Sequence, residues 1–247
     1  MELCDELIVS TPFLKDYYGK KTKQKNISVI PNSPPISWIG HFYSEELLLR
    51  NYHKHRKKPR ILYSGSPSHF CQAKRKEDLL DDDFAHVKDA ILKTLDKYRW
   101  VFVGGMPVEF SLLHLQDKIE YISWRSMDEY PKILSSLEIN MAVAPLQVNT
   151  FNSGKSDLKF LEASALGLPV ACQDMVTYAV APIRFKTGED MLDRIEETLA
   201  TEERFLAASR KGRRLVDTRW LEREENYGKY LDIYTQEYGS PNRRYFS

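Results

Sequence analysis

What this 247-residue sequence lacks narrows it first. It holds only three cysteines, Cys4, Cys71 and Cys172. An odd number set far apart gives no disulfide framework and fits reduced thiols in an intracellular protein. No window approaches the ~20 consecutive apolar residues of a membrane-spanning helix. The opening Met1-Glu2-Leu3-Cys4-Asp5-Glu6 lacks the basic-then-apolar order of a secretory signal. The expected location is the cytoplasm, with at most peripheral contact with a membrane. Charge of one sign is missing too: 36 Lys and Arg against 35 Asp and Glu leave +1, so no overall field draws nucleic acid or an anionic membrane. The basic runs Lys20–Lys25 and His53–Lys58 read either as solvated faces or as local contacts for phosphates or acidic lipid heads, and no nucleic-acid motif accompanies them. Internal repeats and low-complexity tracts are absent. His53 and His55 have no further ligands at zinc spacing. Asp81-Asp82-Asp83 reads more simply as an acidic helix start than as a metal-chelating pair. No metal and no cofactor is assigned.

What is present is an apolar content of 42%, enough to fill a sizeable core. It comes in short runs. Leu7–Ser10, Ile27–Ile30, Arg60–Tyr63, Trp100–Val103, Ile119–Ile122, Ile139–Ala144 and Pro169–Cys172 read as strands. Between them, helical patterns cover 43–55, 83–97, 127–137 and 155–166, and helices fill most of 188–236. Thr11-Pro12 supplies a helix cap with proline in the first turn. Buried strands alternating with helices predict an α/β fold with a Rossmann-like, doubly wound parallel sheet covered on both faces. The proline-rich Pro31-Asn32-Ser33-Pro34-Pro35 reads as a linker, and residues from Gly239 onward as a polar tail.

In such a sheet ligands bind beyond the carboxyl ends of the strands. Gly65-Ser66 and Gly104-Gly105 lie at two of those ends and permit close approach of backbone N–H groups to a phosphate, although either pair also serves as a tight turn. Trp124 and Arg125 follow a third, where stacking and cation attraction suit a nucleotide base. Gly154-Lys155-Ser156 has Asn149 where a P-loop needs its first glycine, so a Walker reading fails. What remains is glycine and lysine at the start of a helix, a place that favours an anion. At about 100° per residue Lys155, Lys159 and Glu162 share a polar side, while Leu158, Leu161 and Ala165 mark the buried one. The same spacing also describes an ordinary exposed helix carrying a Lys-Glu pair.

The run Pro145-Leu146, Phe151-Asn152, Lys155-Ser156-Asp157-Leu158-Lys159 and Leu161-Glu162-Ala163-Ser164-Ala165-Leu166-Gly167-Leu168-Pro169-Val170 resembles the donor-site helix of GT-B glycosyltransferases of the glycogen-synthase-like superfamily. Leu62–His69 resembles the first strand and phosphate loop of their donor domain, and Val101–Gly105 its third strand region. Asp5–Leu14 with Val29-Ile30-Pro31-Asn32 resembles the end of the acceptor-side domain and its linker. The resemblance implies residues 1–58 as a short acceptor-side portion, 59–238 as a nucleotide-sugar donor domain and 239–247 as a tail. It implies a UDP- or GDP-sugar as substrate, Glu162 on the ribose hydroxyls, His69 on the diphosphate or sugar, and retention at the anomeric carbon. Lys155, Lys159 and the amides from Gly154 to Ser156 would meet the diphosphate, with Lys155 and Glu162 as catalytic residues. Where the superfamily places a first Glu, eight positions before the second, this chain has Gly154, so sugar contacts pass to Asn152 or to backbone. An acceptor domain of about 100–150 residues does not fit into residues 1–58. A truncated chain, a partner subunit or self-association, and a minimal relative remain open, as does a non-catalytic nucleotide-sugar-binding or assembly module. The acceptor is unspecified.

Overall fold

The computed structural model describes residues 4–70 and 82–238. Cys71, Asp81 and the polar tail lie outside the described residues. Near the N-terminus β1 (Leu7–Val9) and β2 (Ile27–Val29) pair in parallel, joined by α1 (Pro12–Lys21). The Thr11 side chain accepts a hydrogen bond from the Leu14 amide at 3.2 Å, the cap its sequence predicts. After the proline-rich stretch, α2 (Glu45–Lys54) starts at Ser44, which caps the Leu47 amide at 3.1 Å.

The main sheet holds β3 (Arg60–Gly65), α3 (Lys88–Lys93), β4 (Arg99–Gly104), α4 (Ser111–Leu115), β5 (Glu120–Ser123), α5 (Tyr130–Ser136), β6 (Met141–Ala144), α6 (Thr150–Ser153), α7 (Leu158–Ala165), β7 (Val170–Gln173), β8 (Ile183–Phe185), α8 (Gly188–Leu199) and α9 (Glu202–Tyr238) with their connections. Its six strands are all parallel, in the order β5-β4-β3-β6-β7-β8. The chain builds outward from β3 to β5, then returns to β6 and builds the other way. The reversal leaves a crevice beside the carboxyl ends of β3 and β6, where a doubly wound sheet takes its ligand. Alternate residues feed two cores. Leu62, Val101, Val103, Ala142, Ala144, Val170 and Cys172 face α2, α5, α7 and α9, while Ile61, Tyr63, Trp100, Phe102, Met141, Val143 and Ala171 face α3 and α8. Both faces are apolar, which is why the strands read as continuous hydrophobic runs.

Three expectations change. Residues 83–87 form turns, and the helix there begins only at Lys88: both acids are buried, Asp82 accepting from the Phe84 amide and Lys88, and Asp83 from Gln147 and Asn152, distant in sequence. The donor-site helix begins at Leu158, not Lys155. The Asn32 amide donates to Ser156 Oγ at 2.9 Å and Arg219 pairs with Asp157 at 3.1 Å, which pins 156–157 as a loop after the separate turn α6. Edge strand β8 was not foreseen: three residues with a central exposed arginine give too short a period to read. Helix α9 runs back to the N-terminal segment, where Arg219 donates to the Asn32 carbonyl at 3.0 Å and Trp220 to that of Pro34 at 2.9 Å.

Candidate functional site

The site grows from two glycines. Gly104 ends β4 at φ +92, and a Cβ there would stand 2.5 Å from the Gly65 carbonyl oxygen, so the ends of β3 and β4 meet without side chains. A Cβ on Gly65 would stand 2.6 Å from the Tyr63 hydroxyl and 2.8 Å from Lys159 Nζ. Glycine leaves that space to the Lys159 ammonium, which donates to the Tyr63 hydroxyl at 2.9 Å and lies 4.5 Å from the centre of its ring. Above these strand ends is a cavity of about 200 Å³. Gly65, Ser66, His69, Gly104, Trp124, Arg125, Lys159 and Glu162 line it, together with Tyr130 and Leu158.

Lys159 and Glu162 stand one turn apart on α7, whose apolar side, Phe160, Leu161 and Ala165, is locked in the core. Burial pushes the Lys159 ammonium down to about 7 and the Glu162 carboxyl up to about 7. Tyr130 donates to Glu162 Oε2 at 3.5 Å. Burial therefore disfavours the charged form of each group. An anion beside Lys159 and hydroxyl donors beside Glu162 would relieve both.

Behind the cavity wall, against His69, stands Asp83, one of the acids the sequence offered as a helix start. Asp83 accepts from His69 Nδ1 at 2.6 Å, from the Gln147 amide at 2.9 Å and from Asn152 Nδ2 at 2.7 Å, with Lys155 Nζ at 3.5 Å. Burial raises its carboxyl, but these donors and the Lys155 charge outweigh it and hold the group below the usual carboxylate range. The signal for it was the core pattern of Phe84, Val87 and Ile91, which places the preceding acid beside buried structure rather than in water.

The remaining expected residues stand outside the cavity. Lys155 leaves the side shared by Lys159 and Glu162: it turns to Asp83 and to the Phe151 ring, 5.1 Å away, and lines neighbouring clefts. Asn152 is buried, with its amide given to Asp83 and to the Gln147 carbonyl. Ser156 is taken by Asn32. Gly105 packs against Pro67 and Phe70, behind the loop that follows β3. A Cβ on Gly154 would stand 2.9 Å from the end of the Leu14 side chain of α1. A larger groove of about 550 Å³ runs along β8 between α8 and α9. Arg184 and Arg194 in it are already paired with Asp174, Asp190 and Glu197, and it lies away from the glycine strand ends.

No family model and no curated protein matches the sequence. Solved structures do match in fold. HepE of Anabaena, in complex with UDP and glucose, superposes with a TM-score of 0.68 over 94% of this chain and 64% of its own, at 10% identity. Sucrose-phosphate synthase of Thermosynechococcus elongatus gives 0.63 over 96% and 59%, at 16% identity. A TarM variant from S. aureus, in complex with UDP among other ligands, gives 0.58 over 94% and 44%, at 15% identity. The chain thus spans between 44% and 64% of the length of these structures and has the Rossmann-like fold of GT-B glycosyltransferases. Among the described residues no helix is long and apolar enough to cross a membrane.

Proposed function

We propose that this cavity binds a nucleoside-diphosphate sugar, UDP- or GDP-linked, and that the chain is the donor-binding part of a glycosyltransferase. The observation that carries the reading is the pair Lys159 and Glu162, one turn apart in a single cavity, each shifted by burial away from its charged form. Glu162 accepts from the ribose hydroxyls. Lys159 and the amides of Gly65 and Ser66 meet the diphosphate, whose charge grows as the bond to the sugar breaks; donors fixed at that point stabilise the transition state more than the ground state. Exposed Trp124 offers its ring to the base, with Arg125 beside it. Lys155, held by Asp83, adds positive charge at the sugar end. In this reading 59–238 is the donor domain and 1–58 the edge of the acceptor side.

Glu162→Ala is expected to weaken nucleoside-diphosphate binding by about 1–3 kcal/mol, the cost of a lost charge-assisted hydrogen bond. Calorimetry with UDP and GDP measures it, and an unchanged affinity removes Glu162 from the site. A second reading, a binding module without turnover, draws support from Gly154, which offers no carboxylate where the resemblance places one. Release of free nucleotide from UDP-glucose or GDP-mannose in the presence of a candidate acceptor separates the two.

A further inference from the structure

His69 and Asp83 are joined twice. The Asp83 amide donates to the His69 carbonyl at 3.1 Å, and the imidazole Nδ1 meets the Asp83 carboxylate at 2.6 Å. The rings of Tyr63 and Phe84 pack on Phe70 and fix the backbone beside it. Because the carboxylate only accepts, Nδ1 must carry the hydrogen. The other nitrogen, Nε2, has no hydrogen bond to a described residue, and His69 lines the cavity.

We infer that Asp83 is a positioning residue that fixes the His69 tautomer, so that the Nε2 lone pair faces the cavity and accepts a hydrogen bond from a hydroxyl of the donor sugar. The inference rests on the nucleotide-sugar reading of the site. Phosphate oxygens are acceptors and do not suit a lone pair; a hydroxyl does. The order of strand ends agrees. Trp124 and Arg125 follow β5, whereas His69 is tied through Asp83 to Gln147, which follows β6. A ligand laid across the sheet with its base on Trp124 reaches His69 with its far end, past Gly65 and Lys159. Three charged groups act on the imidazole. Burial lowers its pKa, Asp83 opposes the fall, and Lys159 and Lys155 reinforce it, so the ring is neutral at and above neutral pH.

The readout is the sugar increment, the ratio of the Kd for UDP to that for UDP-glucose, with GDP and GDP-mannose as the parallel pair, measured by calorimetry on the whole chain. Titrations of Lys159 and Glu162 affect both members of a pair and cancel in the ratio. In the unsubstituted protein the increment is expected to fall as pH drops below neutrality, when Nε2 gains a proton. Asp83→Asn lets the amide donate to Nδ1 and moves the hydrogen to Nε2, and the increment should drop about tenfold at pH 7.5, the scale of one hydrogen bond, with the UDP affinity little changed. His69→Phe should lose it similarly, whereas His69→Gln, whose amide oxygen reaches about as far as Nε2, should keep most of it. Equal losses for UDP and UDP-glucose would make His69 a phosphate contact and overturn the inference, as would an increment that ignores pH and all three substitutions. Should Asp83→Asn not fold, the pH series on the unsubstituted protein and the two His69 variants still decide. Failure of the unsubstituted chain to bind either nucleotide is a different result, which overturns the proposed function itself.

Discussion

Lys159 and Glu162 are the two residues whose chemistry most depends on a ligand. Both are held near neutrality by burial, Lys159 lowered to about 7 and Glu162 raised to about 7, and the sign of each response to a ligand is opposite. A diphosphate beside Lys159 raises its pKa, so binding takes up a proton and affinity falls as pH climbs from the free value towards the bound one. Hydroxyls donating to Glu162 lower its pKa, so binding releases a proton and affinity rises as pH climbs from the bound value towards the free one near 7. The rise lies below 7 and the fall above it, so the unsubstituted protein is expected to bind best near neutrality. Separated, they are expected to show plainly between pH 5.5 and 8.5: in Glu162→Gln the affinity for UDP falls as pH climbs above 7, and in Lys159→Met it rises as pH climbs towards 7 and then levels, each by at most about tenfold per pH unit. Calorimetry across that range measures both slopes. Parallel slopes in the two variants would mean that these side chains do not face phosphate and ribose.

Among the elements, the meeting of β3 and β4 is the least tolerant. Gly104 combines a positive φ with a backbone oxygen 2.5 Å from any added Cβ, and that oxygen belongs to a strand locked on both sides. Gly104→Ala is expected to cost at least about 1–3 kcal/mol in denaturant unfolding. Gly19→Ala, inside α1 with only Ile27 at 3.9 Å, should instead gain about 0.5–1 kcal/mol. A Gly104→Ala protein as stable as the unsubstituted chain would refute the account of that junction. The same comparison shows what a sequence can disclose. Strands buried on both faces, the Thr11 cap and the spacing of Lys159 and Glu162 are local patterns, and they were legible. Lys155 was misplaced because its position depends on partners distant in sequence: Asn32 at Ser156, Arg219 at Asp157 and Asp83 at Lys155 itself, 72 residues away. Asp83 was hidden for the same reason, since its role lies in bonds to residues on three separate loops rather than in its neighbours.

At the scale of the whole molecule, a six-stranded parallel sheet presents a cavity at its carboxyl edge, and α9 is tied to the proline-rich stretch that follows the β1-α1-β2 segment. Aromatic and apolar side chains of that segment, Phe13, Leu14 and Tyr17, face Phe151 and Lys155 across a cleft of about 530 Å³. The chain spans 64%, 59% and 44% of the three matching structures. Sugar transfer requires the acceptor hydroxyl in line with the anomeric carbon. Binding the donor alone leaves that positioning unrealised, and it accounts for up to ~7–11 kcal/mol of barrier reduction. The chain by itself is therefore expected to bind UDP- or GDP-sugar and to transfer poorly, and to gain turnover when a longer form or a partner supplies an acceptor-binding wall. Thermal shift over a set of nucleotide sugars identifies the donor, and single-turnover measurements of each hit with the chain alone and with the partner give the gain. Rapid transfer to a supplied acceptor by the monomeric 247-residue chain would overturn this expectation and place a complete acceptor site within the β1-α1-β2 segment.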